Sequence, residues 1–276
     1  MEPLFLVSIL VFGIFAGGVG AMLGLGGGIF MILFFILVLN MPALQAVALS
    51  LLAVIASSSM AGSVYIRDKT TNLKLAMVLE TCTVTGAVLG AFVALVLPVF
   101  YIQIVLGAVL VYASLMMFRS SKSEEVVVNI HKSTVNGEYY DACTKKSVGY
   151  CTVHLKLGLF MSLIGGAVSG IVGIGGGVIL VPIMNLAMKI PMKAATATSN
   201  FMVGVTAAAS AFIFFNKGLV DLYLAVPAVI GIMIGAYSGT RIVGKVESAS
   251  LRRIMGIVLM FAAIVLMLKA GGFLVW

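Results

Sequence analysis

Long apolar runs fill most of the chain, and short stretches of charged or turn-forming residues separate them. The runs lack the period of a half-buried strand or of a helix with one apolar stripe, as expected of helices that face lipid. A membrane span takes roughly 20 apolar residues. The pattern therefore predicts an all-α polytopic membrane protein. Its hydrophobic blocks are Leu4–Leu39, Ala43–Ile66, Leu73–Leu97, Phe100–Phe118, Leu155–Met188, Met192–Phe215, Leu222–Arg241 and Leu251–Leu268.

The chain contains one internal repeat. An offset of 149 residues, which carries Gly24 onto Gly173, aligns the halves without a gap from Gly17 to Phe118. The runs GLGGG and GIGGG then coincide, and Ser50 falls on Ser199. Because repeats define architecture before any single element does, we predict two equivalent membrane halves.

The first block of each half is too long for one span. As a continuous helix at about 1.5 Å per residue, Leu4–Leu39 would measure about 50 Å, against a hydrocarbon core of about 30 Å. The glycine run must divide it. We expect two short helical pieces that meet at a non-helical turn, either as a re-entrant hairpin or as two tilted spans.

Basic residues lie in different loops of the two halves. In the first half they follow the second and fourth blocks, whereas in the second half they cluster after the first and third. By the positive-inside rule the halves face opposite ways, which requires an odd number of crossings in each. We therefore predict inverted repeats at residues 1–118 and 155–276, with both termini outside the plasma membrane and a cytoplasmic linker at 119–154.

The linker is the one long polar stretch. Val126–Ile130, a turn-forming Asn136-Gly137 pair and the neighbouring Tyr139-Tyr140 predict a small β-hairpin there. A solvated connector between the repeats is favoured over a regulatory role.

Composition supports the membrane assignment. Hydrophobic residues make up 62% of the chain and charged residues 9%, whereas soluble domains average about 45–50% apolar and about 25% charged residues. The mean hydropathy is +1.22. The formal net charge of +8 comes largely from short loops, so it indicates topology rather than nucleic-acid binding.

The glycine runs are the first candidate substrate-binding elements. Glycine permits positive φ, and a helix that restarts after such a turn offers unpaired N–H groups at its positive end, which favours an anion. Paired broken helices meet at the substrate in many secondary carriers. The alternative is that these glycines only allow close helix packing. The candidates are Gly24, Gly26, Gly27, Gly28, Gly173, Gly175, Gly176 and Gly177.

Polar side chains early in the block after each glycine run are the next candidates. Ser50 and Ser199 are equivalent in the repeat, so one hydroxyl from each half can approach a common axis. Thr198 and Asn200 flank Ser199. Such side chains in lipid need partners, so substrate contact and helix–helix hydrogen bonding are both open.

Glu80 is an acidic residue well inside an apolar block, and its repeat equivalent is Val229. A carboxylate within the membrane is a candidate proton-coupling group, with protons as the coupling ion. It lies about two turns from a charged loop, so the interface is an alternative location for its side chain.

The sequence offers no Ser/His/Asp, Cys/His or paired-carboxylate arrangement for catalysis. Cys82, Cys143 and Cys151 have no metal-binding spacing, and His131 and His154 are isolated. We therefore expect a protein that is not an enzyme and needs no metal or cofactor.

These motifs resemble the sulfite exporter TauE/SafE family, also called the toluenesulfonate uptake permeases. The likeness covers nearly the whole chain outside the linker. In the first half it lies in GLGGG, Pro42, AVALS at Ala46–Ser50 and the loop Tyr65–Ala76; in the second it lies in GIGGG, Val181-Pro182, ATATSN at Ala195–Asn200, Asn216-Lys217-Gly218 and Asp221.

The resemblance implies a secondary carrier of small sulfur-containing anions, such as sulfite, sulfoacetate or other organosulfonates, driven by an ion gradient. The residues themselves support an anion but do not specify sulfur. Two alternatives remain: a passive anion channel, and a non-transporting membrane sensor or scaffold that signals through the linker.

Overall fold

The computed structural model describes residues 3–119, 135–141, 143 and 145–270. Within these ranges eight helices are long and apolar enough to cross a membrane, which confirms the predicted polytopic helical protein. The helices are α1 (Pro3–Leu23), α2 (Gly28–Leu37), α3 (Ala43–Arg67), α4 (Leu73–Ala94), α5 (Val99–Arg119), α6 (Leu155–Val172), α7 (Gly177–Pro182, continued by a π-helical stretch Ile183–Ala187), α8 (Met192–Asn216), α9 (Leu222–Val243) and α10 (Ser248–Ala270); the strands are β1 (Asn136–Asp141) and β2 (Lys146–Cys151).

Two pairs of equivalent helices begin and end at equivalent positions in the two halves. The bounds of α8 and α9 are those of α3 and α4 moved by 149 residues. The starting signals are also shared: the Asn72 side chain accepts a hydrogen bond from the N–H of Leu75, and the Asp221 side chain accepts one from the N–H of Tyr223. Local capping thus fixes the same start for α4 and α9.

The glycine run divides the first block into a helical hairpin. Phe12 of α1 stacks on Phe34 of α2 with ring centroids 4.3 Å apart, and Phe15 contacts Phe30 edge to face at 6.0 Å. Later residues of α1 thus face earlier residues of α2, so the two helices run antiparallel. The expectation of two short pieces was half right, because α1 has 21 residues and α2 has 10.

The second half forms the same hairpin from α6 and α7. Ser169, near the end of α6, lies beside Gly176, while a Cβ on Gly158, near its start, would meet Met188. Pro182 ends the α-helical part of α7. Because proline lacks an N–H and crowds the preceding turn, the chain continues with the wider π-helical geometry.

Two helix pairs pack so closely that their backbones are in contact. In the pair α1 and α9, Gly231 contacts the Leu10 carbonyl and Gly239 contacts the Gly18 carbonyl, so these helices run parallel. The pair α4 and α6 is built alike, with Gly166 against Thr83. Small residues allow this approach in lipid, where packing rather than water exclusion joins helices.

The helices α3 and α8 cross at the centre of the molecule. Ser58 of α3 contacts Gly204 of α8, and Gly62, one turn later, contacts Phe201, which lies earlier in α8. The two helices therefore run antiparallel. More than half of the apolar window of each is buried within the protein, a larger share than in the other spans of the described chain.

The linker hairpin differs from its prediction. The strands β1 and β2 pair antiparallel, with Asn136 opposite Cys151 and Asp141 opposite Lys146. Asn136 and Gly137 therefore open the first strand, and the expectation that they form the turn was wrong. Val126–Ile130 lies outside the described residues.

The hairpin packs onto the helices. Val135, Tyr139 and Tyr150 belong to one buried cluster with Leu75 of α4 and Met184 after α7. Burial raises the pKa of the Tyr150 hydroxyl. The described part of the linker is thus a docked element rather than a solvated connector.

Candidate functional site

The two glycine turns meet at the centre of the molecule. Gly177, the first residue of α7, lies against the carbonyl of Gly24, and Gly28, the first residue of α2, lies close to the carbonyl of Gly173. Six turn glycines have φ between 66° and 84°; they are Gly24, Gly26, Gly27, Gly173, Gly175 and Gly176. That left-handed conformation explains why both turns need glycine.

A serine from each half holds the turn of the other half. The Ser199 hydroxyl donates to the Gly24 carbonyl at 2.8 Å, and the Ser50 hydroxyl donates to the Gly173 carbonyl at 2.9 Å. Ser50 also lies 2.8 Å from the Val47 carbonyl in its own helix. Both serines are fully buried. The structure thus brings together the two serines and the two glycine runs that the sequence singled out.

The walls around the turns are mostly apolar. A side chain on Gly26 or on Gly175 would meet both Val54 of α3 and Val203 of α8. Asn200 adds a polar contact, because its Nδ2 donates to the Ala21 carbonyl at 2.8 Å. In such a low-dielectric environment each hydrogen bond is electrostatically stronger than it would be in water.

The end of α1 is fixed at one carbonyl. The Ala21 oxygen accepts hydrogen bonds from Asn200 and from the Tyr65 hydroxyl, the latter at 3.0 Å. Tyr65 belongs to α3 and Asn200 to α8. Sequence analysis named Tyr65 only as the first residue of a loop in the family likeness and not as a site residue; the local pattern holds no signal for this role, because the partner is a backbone atom 44 residues away.

Thr198 does not face the glycine turns. Its hydroxyl oxygen accepts a hydrogen bond from the N–H of Asn72 at 3.0 Å, in the loop between α3 and α4. The neighbouring Thr71 hydroxyl lies 3.5 Å from the Ala197 carbonyl. Thr198 therefore fixes this loop against α8, and its contact with a substrate stays a prediction.

Glu80 lies buried between α4 and α8. Its Oε1 accepts a hydrogen bond from the Thr206 hydroxyl at 2.7 Å, and its Oε2 lies 3.3 Å from the Thr83 hydroxyl. The side chain is 8% exposed, so neighbouring helices enclose it, and its role in proton coupling stays a prediction. Sequence analysis missed Thr83, although its spacing of three residues from Glu80 on one helix face was a usable signal.

The arrangement places hydroxyl and amide donors in an apolar enclosure, and α8, which supplies Ser199 and Asn200, also contacts the buried Glu80 carboxyl group through Thr206. Among the described residues no group of three or more His, Cys, Asp or Glu side chains could hold a metal ion. Hydroxyl and amide donors suit recognition of an anion by hydrogen bonds rather than bond-making chemistry.

Comparisons with known proteins agree with this description. The model of the family "Sulfite exporter TauE/SafE" matches residues 9–266. The "Probable membrane transporter protein YunE" of Bacillus subtilis (strain 168) is 28% identical over 260 residues, covering 92% of this chain and 94% of that protein. No solved structure matches the chain. The family consists of membrane transporters rather than enzymes, and this chain belongs to the sulfite exporter TauE/SafE family.

Proposed function

We propose that the protein is a secondary carrier of small sulfur-containing anions, with sulfite, sulfoacetate and other organosulfonates as the substrate class. The observation that carries the proposal is the reciprocal clamp at the centre, in which Ser199 holds Gly24 and Ser50 holds Gly173. A site built equally from two halves is where carriers with repeated halves bind their substrate.

We further propose that the halves are inverted repeats in the plasma membrane. The antiparallel crossing of α3 and α8, which are equivalent helices, supports this orientation. The hairpins α1–α2 and α6–α7 each return toward the side they came from, which leaves three net crossings per half. With basic loops placed inside, both termini lie outside and the linker is cytoplasmic.

Substrate binding requires the central clamp to open. In the closed arrangement each serine proton is used by a glycine carbonyl. When the halves rock apart, the two hydroxyls become free to donate to an oxyanion, joined by first-turn N–H groups of α2, which begins at Gly28. The anion thus replaces the cross-half hydrogen bonds, and its binding favours the open state.

Glu80 is the proposed proton-coupling group. Thr206 places its hydroxyl on Oε1, and Thr206 lies on α8, the helix that also carries Ser199. Movement of α8 relative to α4 would therefore change the hydrogen bonding of Glu80 and the clamp together. This shared helix gives a physical route by which proton binding and anion binding influence each other.

The test is uptake of labelled sulfite and sulfoacetate into proteoliposomes, with and without an imposed pH gradient. We expect uptake that the gradient accelerates. Absence of flux for every anion tried would refute the carrier, whereas flux that follows only the anion's own gradient would identify a passive channel.

The clamp is tested in the same assay with Ser50→Ala and Ser199→Ala. Each removes one cross-half hydrogen bond and one proposed donor to the anion, so we expect a raised KM. Ser63→Ala is the matched control, because Ser63 is exposed and donates to Met60 within its own helix. Equal KM values for all three variants would contradict the proposed site.

A further inference from the structure

We propose that Lys193 is an anion-binding residue at the linker-side mouth of the second half, and that Asp141 of the linker hairpin occupies it as an internal competitor. The ligand class is a small oxyanion such as sulfite or a sulfonate. This inference rests on the proposed transport of such anions.

Lys193 is a buried cation at an unfavourable position. It is the second residue of α8, and its side chain is 7% exposed. Burial of a charge is costly, and the N-terminal end of a helix already carries positive potential. The repeat equivalent is Leu44, so the fold accepts an apolar side chain here. Helix stability therefore does not explain the lysine.

The counter-charge comes from the linker. The Asp141 Oδ1 lies 2.6 Å from the Lys193 Nζ, and both side chains are buried. The same Oδ1 accepts a hydrogen bond from the N–H of Cys143 at 2.9 Å. Asp141 thus keeps a partner within its own hairpin after it leaves Lys193, which makes separation less costly for the hairpin than for the lysine.

Two further polar side chains follow Lys193 along α8 toward the glycine turns. Thr196 and Asn200 follow at spacings of three and four residues, so all three lie on one face of α8. Thr196 packs against Gly24 of the first glycine turn. Its hydroxyl is buried and has no hydrogen-bond partner within the described ranges of the chain.

The first half does not repeat these polar side chains. The positions equivalent to Thr196 and Asn200 are Val47 and Leu51, both buried in the core. A feature needed only for folding two equivalent halves would not differ in this way. The unpartnered Thr196 hydroxyl therefore supplies a donor between the mouth and the clamp that the duplicated fold does not require.

The exchange itself needs no bond-making step. A sulfite or sulfonate group presents negative oxygens to a cation much as a carboxylate does. It therefore competes with Asp141 for Lys193, and the hairpin moves away when the anion wins. The apparent dissociation constant equals the intrinsic one divided by the fraction of molecules whose hairpin is open. If the hairpin is open in about one molecule in ten, binding is therefore about tenfold weaker.

The experiment measures sulfite and sulfoacetate binding to the full-length purified protein by calorimetry, with monodispersity checked by gel filtration. We expect Asp141→Asn to tighten binding several-fold and Lys193→Met to weaken it at least as much. Glu138→Gln and Lys189→Met are matched controls, because they change charge by the same amounts at exposed residues nearby.

A charge-swapped variant, Asp141→Lys with Lys193→Asp, separates binding from folding. It keeps the opposite-charge pair while placing a carboxylate on α8. We expect it to remain monodisperse but to lose anion binding. Wild-type affinity in the swapped variant, or unchanged affinity in a monodisperse Asp141→Asn protein, would overturn the proposal even if wild-type flux is robust. Absence of flux in the wild type would instead refute the carrier.

Discussion

Gly177→Ala tests whether the two glycine turns touch as the structure describes. Gly177 does not need glycine for its backbone angles, because it is absent from the positive-φ residues of the described chain. Its constraint is space: a Cβ would stand 3.0 Å from the Leu25 Cα and closer still to the Gly24 carbonyl oxygen. Carbon atoms in good contact are about 3.5–4.0 Å apart, so one turn must move by at least about 0.5 Å.

The expected cost follows from that displacement. Overpacking of a well-filled interior costs about 1–3 kcal/mol, which corresponds to a midpoint lowered by about 2–12 °C for a chain of this size. Either turn that moves alters the contact between the two glycine turns, to which Ser199 donates at the Gly24 carbonyl, so we expect anion uptake to fall together with stability.

The assay is the temperature at which half of the detergent-purified protein loses its monodisperse gel-filtration peak, followed by proteoliposome uptake. Gly244→Ala is the control, because its Cβ would meet nothing within 4 Å and its φ is −59°. If Gly177→Ala melts and transports like Gly244→Ala, the close contact between the turns is refuted.

Three further outcomes are expected. Glu80→Gln should abolish the stimulation of uptake by a pH gradient while leaving downhill flux, and a retained gradient response would exclude Glu80 as the coupling group. Tyr65→Phe removes one hydrogen bond to the Ala21 carbonyl at the end of α1, so it should destabilise the protein by about 1 kcal/mol in a thermal assay; no change would show that Asn200 alone suffices. A cysteine at exposed Lys217 should react with an impermeant outside label and one at exposed Lys245 should not, and the reverse pattern would contradict the proposed orientation.

Hydrophobic length and repetition predicted most of the helical framework. The blocks that begin at Ala43 and Leu73 became α3 and α4 with starts at those same residues, because Pro42 and Asn72 mark them locally. The divided first block was also predictable, since a hydrophobic block of 36 residues exceeds one bilayer crossing and glycine is needed for positive φ.

The unequal pieces of the hairpin follow from the position of the glycines. Gly24 to Gly28 lie off-centre in the run from Leu4 to Leu39 and leave 20 residues before them and 11 after them. The linker prediction failed because Asn136-Gly137 favours a tight turn locally, whereas Tyr139 and Tyr150 are buried against α4, and that tertiary contact sets the register.

Site residues that the repeat equates could be predicted from the sequence, whereas those that occur in only one half could not. Ser50 and Ser199 stood out because the repeat equates them, and the structure places them on reciprocal carbonyls. The Asp141–Lys193 pair has no such signal, because one partner lies in the linker and the repeat equivalent of the other is Leu44.

That asymmetry has a consequence for transport. A carrier whose halves were chemically identical would hold its two access states at equal energy, because exchanging the halves converts one state into the other. Here the buried ion pair Asp141–Lys193 holds the linker hairpin against the start of α8. The equivalent position at the start of α3 is Leu44, which can form no ion pair. The linker-side opening should therefore be the rarer state at rest. An anion that displaces Asp141 removes this bias at the moment it binds, so we expect substrate on the linker side to increase the population of molecules open to that side.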